Sequence, residues 1–226
     1  MTSLANQISD AGYADRIISE RMLARLVEGS PASRYGLVNR ALKDGSLIRL
    51  RRGIYTLSPK WRRTPPHPYA IAQAIVPGSY VSLETALSHH GWIPEAVYQT
   101  ASITPGRKSL DLVHELYGQF SFRPLAINAF EFLRGVDREV LDGQATLIAS
   151  PLRALFDLIA YRKEEWRGID VLTSSLRLDP ERLEKVPKKE ITHLKNVYKQ
   201  KRVREFINAF EIGVTLPCRK KKAAKQ

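Results

Sequence analysis

The run Gly45-Ser46-Leu47-Ile48-Arg49-Leu50-Arg51-Arg52-Gly53-Ile54-Tyr55-Thr56-Leu57 constrains this chain more than any other segment. Ile48 and Leu50 alternate with Leu47, Arg49 and Arg51 as far as Arg52-Gly53, and Ile54 to Leu57 then returns. Alternation closed by a glycine turn predicts a tight β-hairpin. Successive strand residues face opposite ways, so Arg49 and Arg51 are expected on one face and Arg52 in the turn.

What precedes the hairpin gives it a direction. Ser19-Glu20-Arg21-Met22 opens a helix with Met22, Leu23, Leu26 and Val27 at helical spacing, and Gly29-Ser30-Pro31 breaks it. Ser30 or Ser33 caps the next helix, which runs to about Asp44 and stops on Gly45. Further upstream, Ser9 or Asp10 is expected to cap a short helix carrying Ile17 and Ile18. On a helical wheel, Leu37, Val38, Ala41 and Leu42 form one stripe. Ala32, Ser33, Gly36, Asn39, Arg40 and Lys43 lie opposite, with Tyr35 at the edge, while Arg34 must swing from the apolar side toward solvent or a phosphate. Two short helices followed by an arginine-tipped hairpin predict a winged helix-turn-helix. Its second helix suits the major groove: Arg40 matches guanine and Asn39 adenine, while Ser33, Arg34, Tyr35 and Lys43 are placed for phosphates or groove edges. Arg49, Arg51 and Arg52 on the wing suit an adjacent minor groove.

The charge agrees with a polyanionic partner. The chain of 226 residues carries +13, and its distribution is uneven. Residues 1–64 hold twelve Lys and Arg against five Asp and Glu, residues 65–170 nine against twelve, and residues 171–226 fifteen against six. Two basic ends therefore flank a mildly acidic middle. Lys188, Lys189, Lys195, Lys199, Lys201 and Arg202, set around apolar Ile191, Leu194 and Val197, offer a second basic surface for RNA or DNA, or else a solvated helix face. A single cysteine, Cys218, excludes an intramolecular disulfide or a multi-cysteine zinc site and fits a reducing compartment. There is no apolar run of membrane-spanning length and no signal-peptide pattern at MTSLANQISD, so a soluble cytoplasmic protein is expected.

The expected fold class is α+β. A winged helix-turn-helix spans residues 1–62, a Pro-rich linker 63–68, and an α+β domain with helical C-terminal part 69–216, followed by a basic disordered tail at 217–226. The second domain reads as mixed α/β with short, mostly antiparallel strands. These include Tyr80-Val81, Tyr98–Thr104, Phe120–Phe122, Ala129–Leu133, Arg138–Leu141 and Ala145–Ile148. Ser150-Pro151 opens a strong helix to Tyr161, and helices follow near 169–176, 180–185, 188–200 and 201–211.

Catalytic patterns are missing from the sequence. It has no phosphate-binding glycine loop, no nucleophile elbow and no Cys/His dyad. His89-His90 with Glu84 is set aside as a metal site, because neighbouring helical side chains diverge by about 100°. Arg153 and Asp157, four apart, read as a surface or domain-interface ion pair. Asp137, Glu139 and Asp142 read as a solvated hairpin rather than a nuclease centre. No enzyme activity, cofactor or metal is expected.

Three segments carry a family resemblance: the wing 45–55; Tyr80-Val81-Ser82-Leu83-Glu84-Thr85-Ala86-Leu87-Ser88-His89-His90-Gly91; and Ile148-Ala149-Ser150-Pro151-Leu152-Arg153-Ala154-Leu155-Phe156-Asp157. Over roughly residues 15–210 the chain resembles the AbiEi family, antitoxins and transcriptional regulators of type IV toxin–antitoxin systems associated with abortive infection. The resemblance implies an N-terminal winged helix that represses its own operon at inverted repeats in double-stranded DNA. It implies a C-terminal domain that counteracts a nucleotidyltransferase-like toxin without a stable complex. Rival readings are an antitoxin that sequesters its toxin directly and a nuclease targeted by a winged helix.

Overall fold

The computed structural model describes residues 3–215 and is mixed α+β; residue 216 and the basic tail expected at 217–226 lie outside the described residues. The chain begins with α1 (Leu4–Asp10), β1 (Ile18–Ser19), α2 (Glu20–Leu26), α3 (Pro31–Lys43), β2 (Leu47–Arg51) and β3 (Ile54–Leu57). Serines start all three helices. Ser3, Ser19 and Ser30 each accept a hydrogen bond from the backbone N–H three residues on, satisfying a donor that the helix leaves unpaired. Ile18 is not helical as expected. The first helix ends at Asp10, and the β-branched Ile18 pairs with Tyr55 instead. The resulting antiparallel sheet has the order β1–β3–β2. Leu4, Ile8, Ile18, Leu23, Val38, Ala41, Leu47 and Leu57 pack together beneath it.

The remainder comprises α4 (Pro68–Ile75), β4 (Tyr80–Val81), α5 (Leu83–His89), β5 (Gln99–Thr104), β6 (Leu110–His114), β7 (Gly118–Pro124), β8 (Val136–Leu141), β9 (Gln144–Ala149), α6 (Pro151–Arg162), α7 (Ile169–Leu176), α8 (Pro180–Glu184), α9 (Lys188–Leu194) and α10 (Lys201–Thr215). Six strands form a sheet in the order β6–β7–β5–β4–β9–β8. The β4–β5, β6–β7 and β8–β9 pairs are antiparallel and the β5–β7 and β4–β9 pairs parallel, so the sheet is mixed, with the antiparallel majority expected from sequence. Strand β6 was not expected. Ala129–Leu133, expected as a strand, instead opens with a 3-10 turn at Ala129–Glu131. The helix expected over 188–200 stops at Leu194, and Tyr198 makes an isolated bridge to Ile127. Among the described residues, no helix is long and apolar enough to cross a membrane.

The first half of the Pro-rich segment is held from two sides. Asp15 Oδ1 accepts the Arg63 and Thr64 N–H groups at 2.6 and 2.9 Å, and Gln144 donates to the Pro65 carbonyl at 3.2 Å. These bonds, led by that from Thr64, hold the Asp15 carboxyl below its ordinary range. A small core also spans the segment: Leu50 packs with Ile71, Ala72, Ile75, Phe120 and Phe122.

The Arg153–Asp157 pair, expected at a surface or domain interface, lies inside the core of the larger part; both side chains are 0 % exposed. Helix α6 is apolar on every side, through Leu152, Ala154, Leu155, Phe156, Leu158, Ile159 and Ala160, so it is buried all round and takes the pair with it. Asp157 Oδ1 accepts from Arg153 Nε at 2.9 Å and Tyr198 Oη at 2.7 Å. Its Oδ2 accepts from Tyr80 Oη at 2.9 Å and Ser82 Oγ at 2.7 Å. The guanidinium also donates to the Arg134 carbonyl at 2.6 Å and to Tyr80 Oη at 2.6 Å, with longer contacts to the Glu131 and Phe132 carbonyls. Burial works against its charge, but Asp157, Tyr198 and Tyr80 together outweigh that and raise the Arg153 pKa. Gly135 makes the approach possible. Its φ is +69°, and a Cβ there would lie 2.9 Å from Leu194 Cδ2 and 3.3 Å from Arg153 Cβ.

Arg153→Ala strands a buried carboxylate and should cost about 3–5 kcal/mol of stability. Tyr198→Phe removes one bond to a charged acceptor and should cost about 1.5–3 kcal/mol, both read by urea unfolding. Burial first, and then Asp157, raise the Tyr80 and Tyr198 pKa values well above normal. Their contribution is therefore complete below the unfolded tyrosine pKa of about 10 and is lost as pH rises through the folded values. In an alkaline titration, phenolate absorbance from these two residues should emerge together with the loss of ellipticity, not before it.

Candidate nucleic-acid interface

Helix α3 is built to start and stop where the sequence indicates. Ser30 Oγ accepts the Ser33 N–H at 3.2 Å and Pro31 occupies the first turn. Asp44 is the C-cap, and Gly45 follows at φ +72°. Hydrogen bonds from Ser46 hold the Asp44 carboxyl below its ordinary range. Val38 and Ala41 are buried against the sheet, with Leu37 and Leu42 packed beside them.

The opposite face is open. Ser33, Tyr35, Arg40 and Lys43 are exposed, Tyr35 at 69 %, and Asn39 is half-buried among them. Arg34 behaves differently: it is half-buried, and its guanidinium turns back to the Gly29 carbonyl at 2.6 Å, bracing the turn that enters the helix. Four of the helix residues singled out from sequence thus share an exposed polar surface, Asn39 borders it, and Arg34 is engaged on its own turn.

The hairpin departs from strict alternation. Arg49 pairs with Tyr55 and Arg51 with Ile54, so a β-bulge at Leu50 adds one residue to β2. Directly opposed residues project on the same side of a sheet, and Tyr55 and Ile54, being adjacent, project on opposite sides. Arg49 and Arg51 therefore do not share a face as expected. Alternation turns Leu50 into the core that it shares with α4 and β7, whereas Leu47 enters the N-terminal core. Arg51 follows Leu50 and donates to the Ile75 carbonyl at 2.9 Å. The Arg49 carbonyl bonds His114 Nε2 at 3.1 Å, which ties the opposite side of the hairpin to β6. Arg52 is exposed in the turn, where Gly53 at φ +79° lets the strand reverse. The Gly53 carbonyl accepts the Glu20 N–H at 2.9 Å, which fixes the start of α2 against the hairpin tip.

The second basic surface is largely neutralised or anchored. Lys195 pairs with Glu211 at 2.5 Å and Lys201 with Glu205 at 3.5 Å. Arg202 donates to the Glu164 and Ala160 carbonyls. Lys188, Lys189 and Lys199 are exposed. His89 and His90, set aside from sequence, and Glu139, read as part of a solvated hairpin, are brought together by the fold. Their separation along the chain carries no spacing signal.

Comparison with known proteins finds no matching family model and no matching curated protein.

The two sides of the hairpin should separate in stability measurements. Leu50→Ala should cost about 2–5 kcal/mol, since it opens the core shared with α4. Arg40→Ala and Arg52→Ala, on exposed side chains, should stay within about 0.5 kcal/mol of wild type in denaturant unfolding.

Proposed function

We propose that this chain is a DNA-binding transcriptional autorepressor and antitoxin of the type IV kind, with its N-terminal part acting as a winged helix-turn-helix. The observation that carries the reading is the element order α1–β1–α2–α3–β2–β3 with sheet order β1–β3–β2. It presents a capped helix, exposed on its polar face, directly before an arginine-bearing hairpin. A helix with Tyr35, Asn39, Arg40 and Lys43 on its outer face offers both base-reading forks and phosphate donors. Arg52 and Arg49 extend that surface along the wing, while Arg51 is committed to Ile75. The net charge of +13 favours association with a duplex. The operator is taken to be inverted repeats in the protein's own promoter. The antitoxin half, acting against a nucleotidyltransferase-like toxin without a stable complex, draws on the resemblance of residues 80–91 and 148–157 to the AbiEi family. No catalysis and no cofactor enter this reading.

Gel shifts on the upstream promoter test it directly. Arg40→Ala should weaken specific binding by about 1–3 kcal/mol and relax sequence preference, whereas Arg52→Ala should weaken binding to all sequences and lower the salt slope by about one. In cells, Arg40→Ala should release repression while protection from the toxin persists. Unaltered promoter binding by both variants would refute the assignment of α3 and the wing to DNA.

A further inference from the structure

Three side chains distant in sequence meet at one point beside β8, far along the chain from the hairpin. His89 is the last residue of α5, His90 is its C-cap, and Glu139 lies on the edge strand β8. Each offers a ligand atom, and these atoms all lie within 4.8 Å of one another. The divergence of neighbouring helical side chains does not keep the two rings apart at the end of α5. His90 has φ −82° and ψ 0°, and the two ring centroids are 4.9 Å apart with planes at 77°. Glu84, the carboxylate that sequence spacing offered, is engaged by Arg162 at 2.7 Å instead.

The hydrogen bonds around the cluster are those of ligating residues. His90 Nε2 lies 2.9 Å from the Ala149 carbonyl oxygen. A carbonyl only accepts, so the hydrogen is on Nε2 and the lone pair is on Nδ1; such a bond to a backbone carbonyl is how metal-binding histidines are oriented. His89 Nε2 lies 3.0 Å from Glu139 Oε2. That is a hydrogen-bond distance, and a shift of a few tenths of an ångström brings the two atoms to the roughly 3.3–3.6 Å spacing of tetrahedral ligands with bonds of about 2.0–2.2 Å. The Tyr69 ring packs edge-on against His89 at 5.7 Å and supports it from α4. His67, next in the aromatic row, uses its Nδ1 to accept the Tyr69 N–H and is not a ligand.

We propose that His89, His90 and Glu139 form a binding site for one divalent transition-metal ion of the zinc class. Two imidazole nitrogens and one carboxylate suit Zn²⁺, Co²⁺ or Ni²⁺, whereas Mg²⁺ and Ca²⁺ take oxygen sets. The side chains of His89 and Glu139 are 23 % and 32 % exposed, which leaves the solvent side for water as a further ligand. The bound ion takes the place of the hydrogen between His89 Nε2 and Glu139, with His89 in the tautomer protonated at Nδ1. It joins the end of α5 to an edge strand that has only β9 as a neighbour. This site is independent of the DNA-binding reading.

The test is titration of the full-length, tag-free protein with zinc chloride by calorimetry and with cobalt chloride by visible absorption. One ion per chain is expected. Glu139→Gln and His89→Gln should each weaken it at least about tenfold, since loss even of a group behind a ligand costs about 10–100-fold. Glu115→Gln, an exposed charge elsewhere, should bind like wild type. In wild-type protein, zinc should shift the imidazole nitrogen resonances of His89 and His90, a readout that needs no variant to fold. Absence of binding, binding unaltered in both ligand variants, resonances that do not move, or equal competition by magnesium would each overturn the assignment.

Discussion

One buried carboxylate organises the larger part of this protein. Asp157 receives four donors, from β4 (Tyr80), the residue before α5 (Ser82), its own helix (Arg153) and the segment before α10 (Tyr198). Removing both charges from water costs several kcal/mol per ion, and a bare pair would not repay it. Here the guanidinium has a partner for each of its five N–H groups, and the Tyr80 and Tyr198 rings lie over it at 5.3 and 5.4 Å. The bonds are directional, so they determine register and approach where apolar packing would tolerate sliding. Leu83, at φ +56°, occupies a backbone region unfavourable to a branched side chain. Ser82 beside it is held twice, by Asp157 and through its N–H by the Ala101 carbonyl.

The β2–β3 hairpin has two allegiances. Alternation along β2 sends Leu47 into one core and Leu50 into another, and the bulge that follows puts Arg51 on the Leu50 side, away from Arg49. A strand has two faces, and here each one is committed to a different core. The result is a proposed DNA-reading wing whose rear is packed against α4 and β7, with Arg51 spent on that contact and Arg52 left outward.

Local signals were legible wherever a residue's own chemistry decides the backbone. Ser30-Pro31 and Gly45 delimit α3, Ser150-Pro151 opens α6, and Gly53 turns the hairpin. Reading failed where a partner distant in sequence decides. Ile18 became a strand because the β3 edge was free to pair with it, and Ala129–Leu133 lost its strand because Asn128 and Arg134 serve other segments there. The burial of Arg153 and Asp157 carried a signal that went unused: a helix apolar on all sides has no solvent face on which to put a charge pair.

The sequence by itself determined the helix caps, the hairpin turn, the apolar stripe of α3 and the outward placement of Tyr35, Arg40 and Lys43, because each depends on groups within a few residues of one another. The tertiary structure alone decided that Arg49 and Arg51 part company, that Asp157 becomes a hub and that Glu139 reaches His89 and His90. Those outcomes depend on which surfaces meet when apolar area is buried. Side chains forty or more residues apart acquire a common environment only once the fold has brought them within bonding distance.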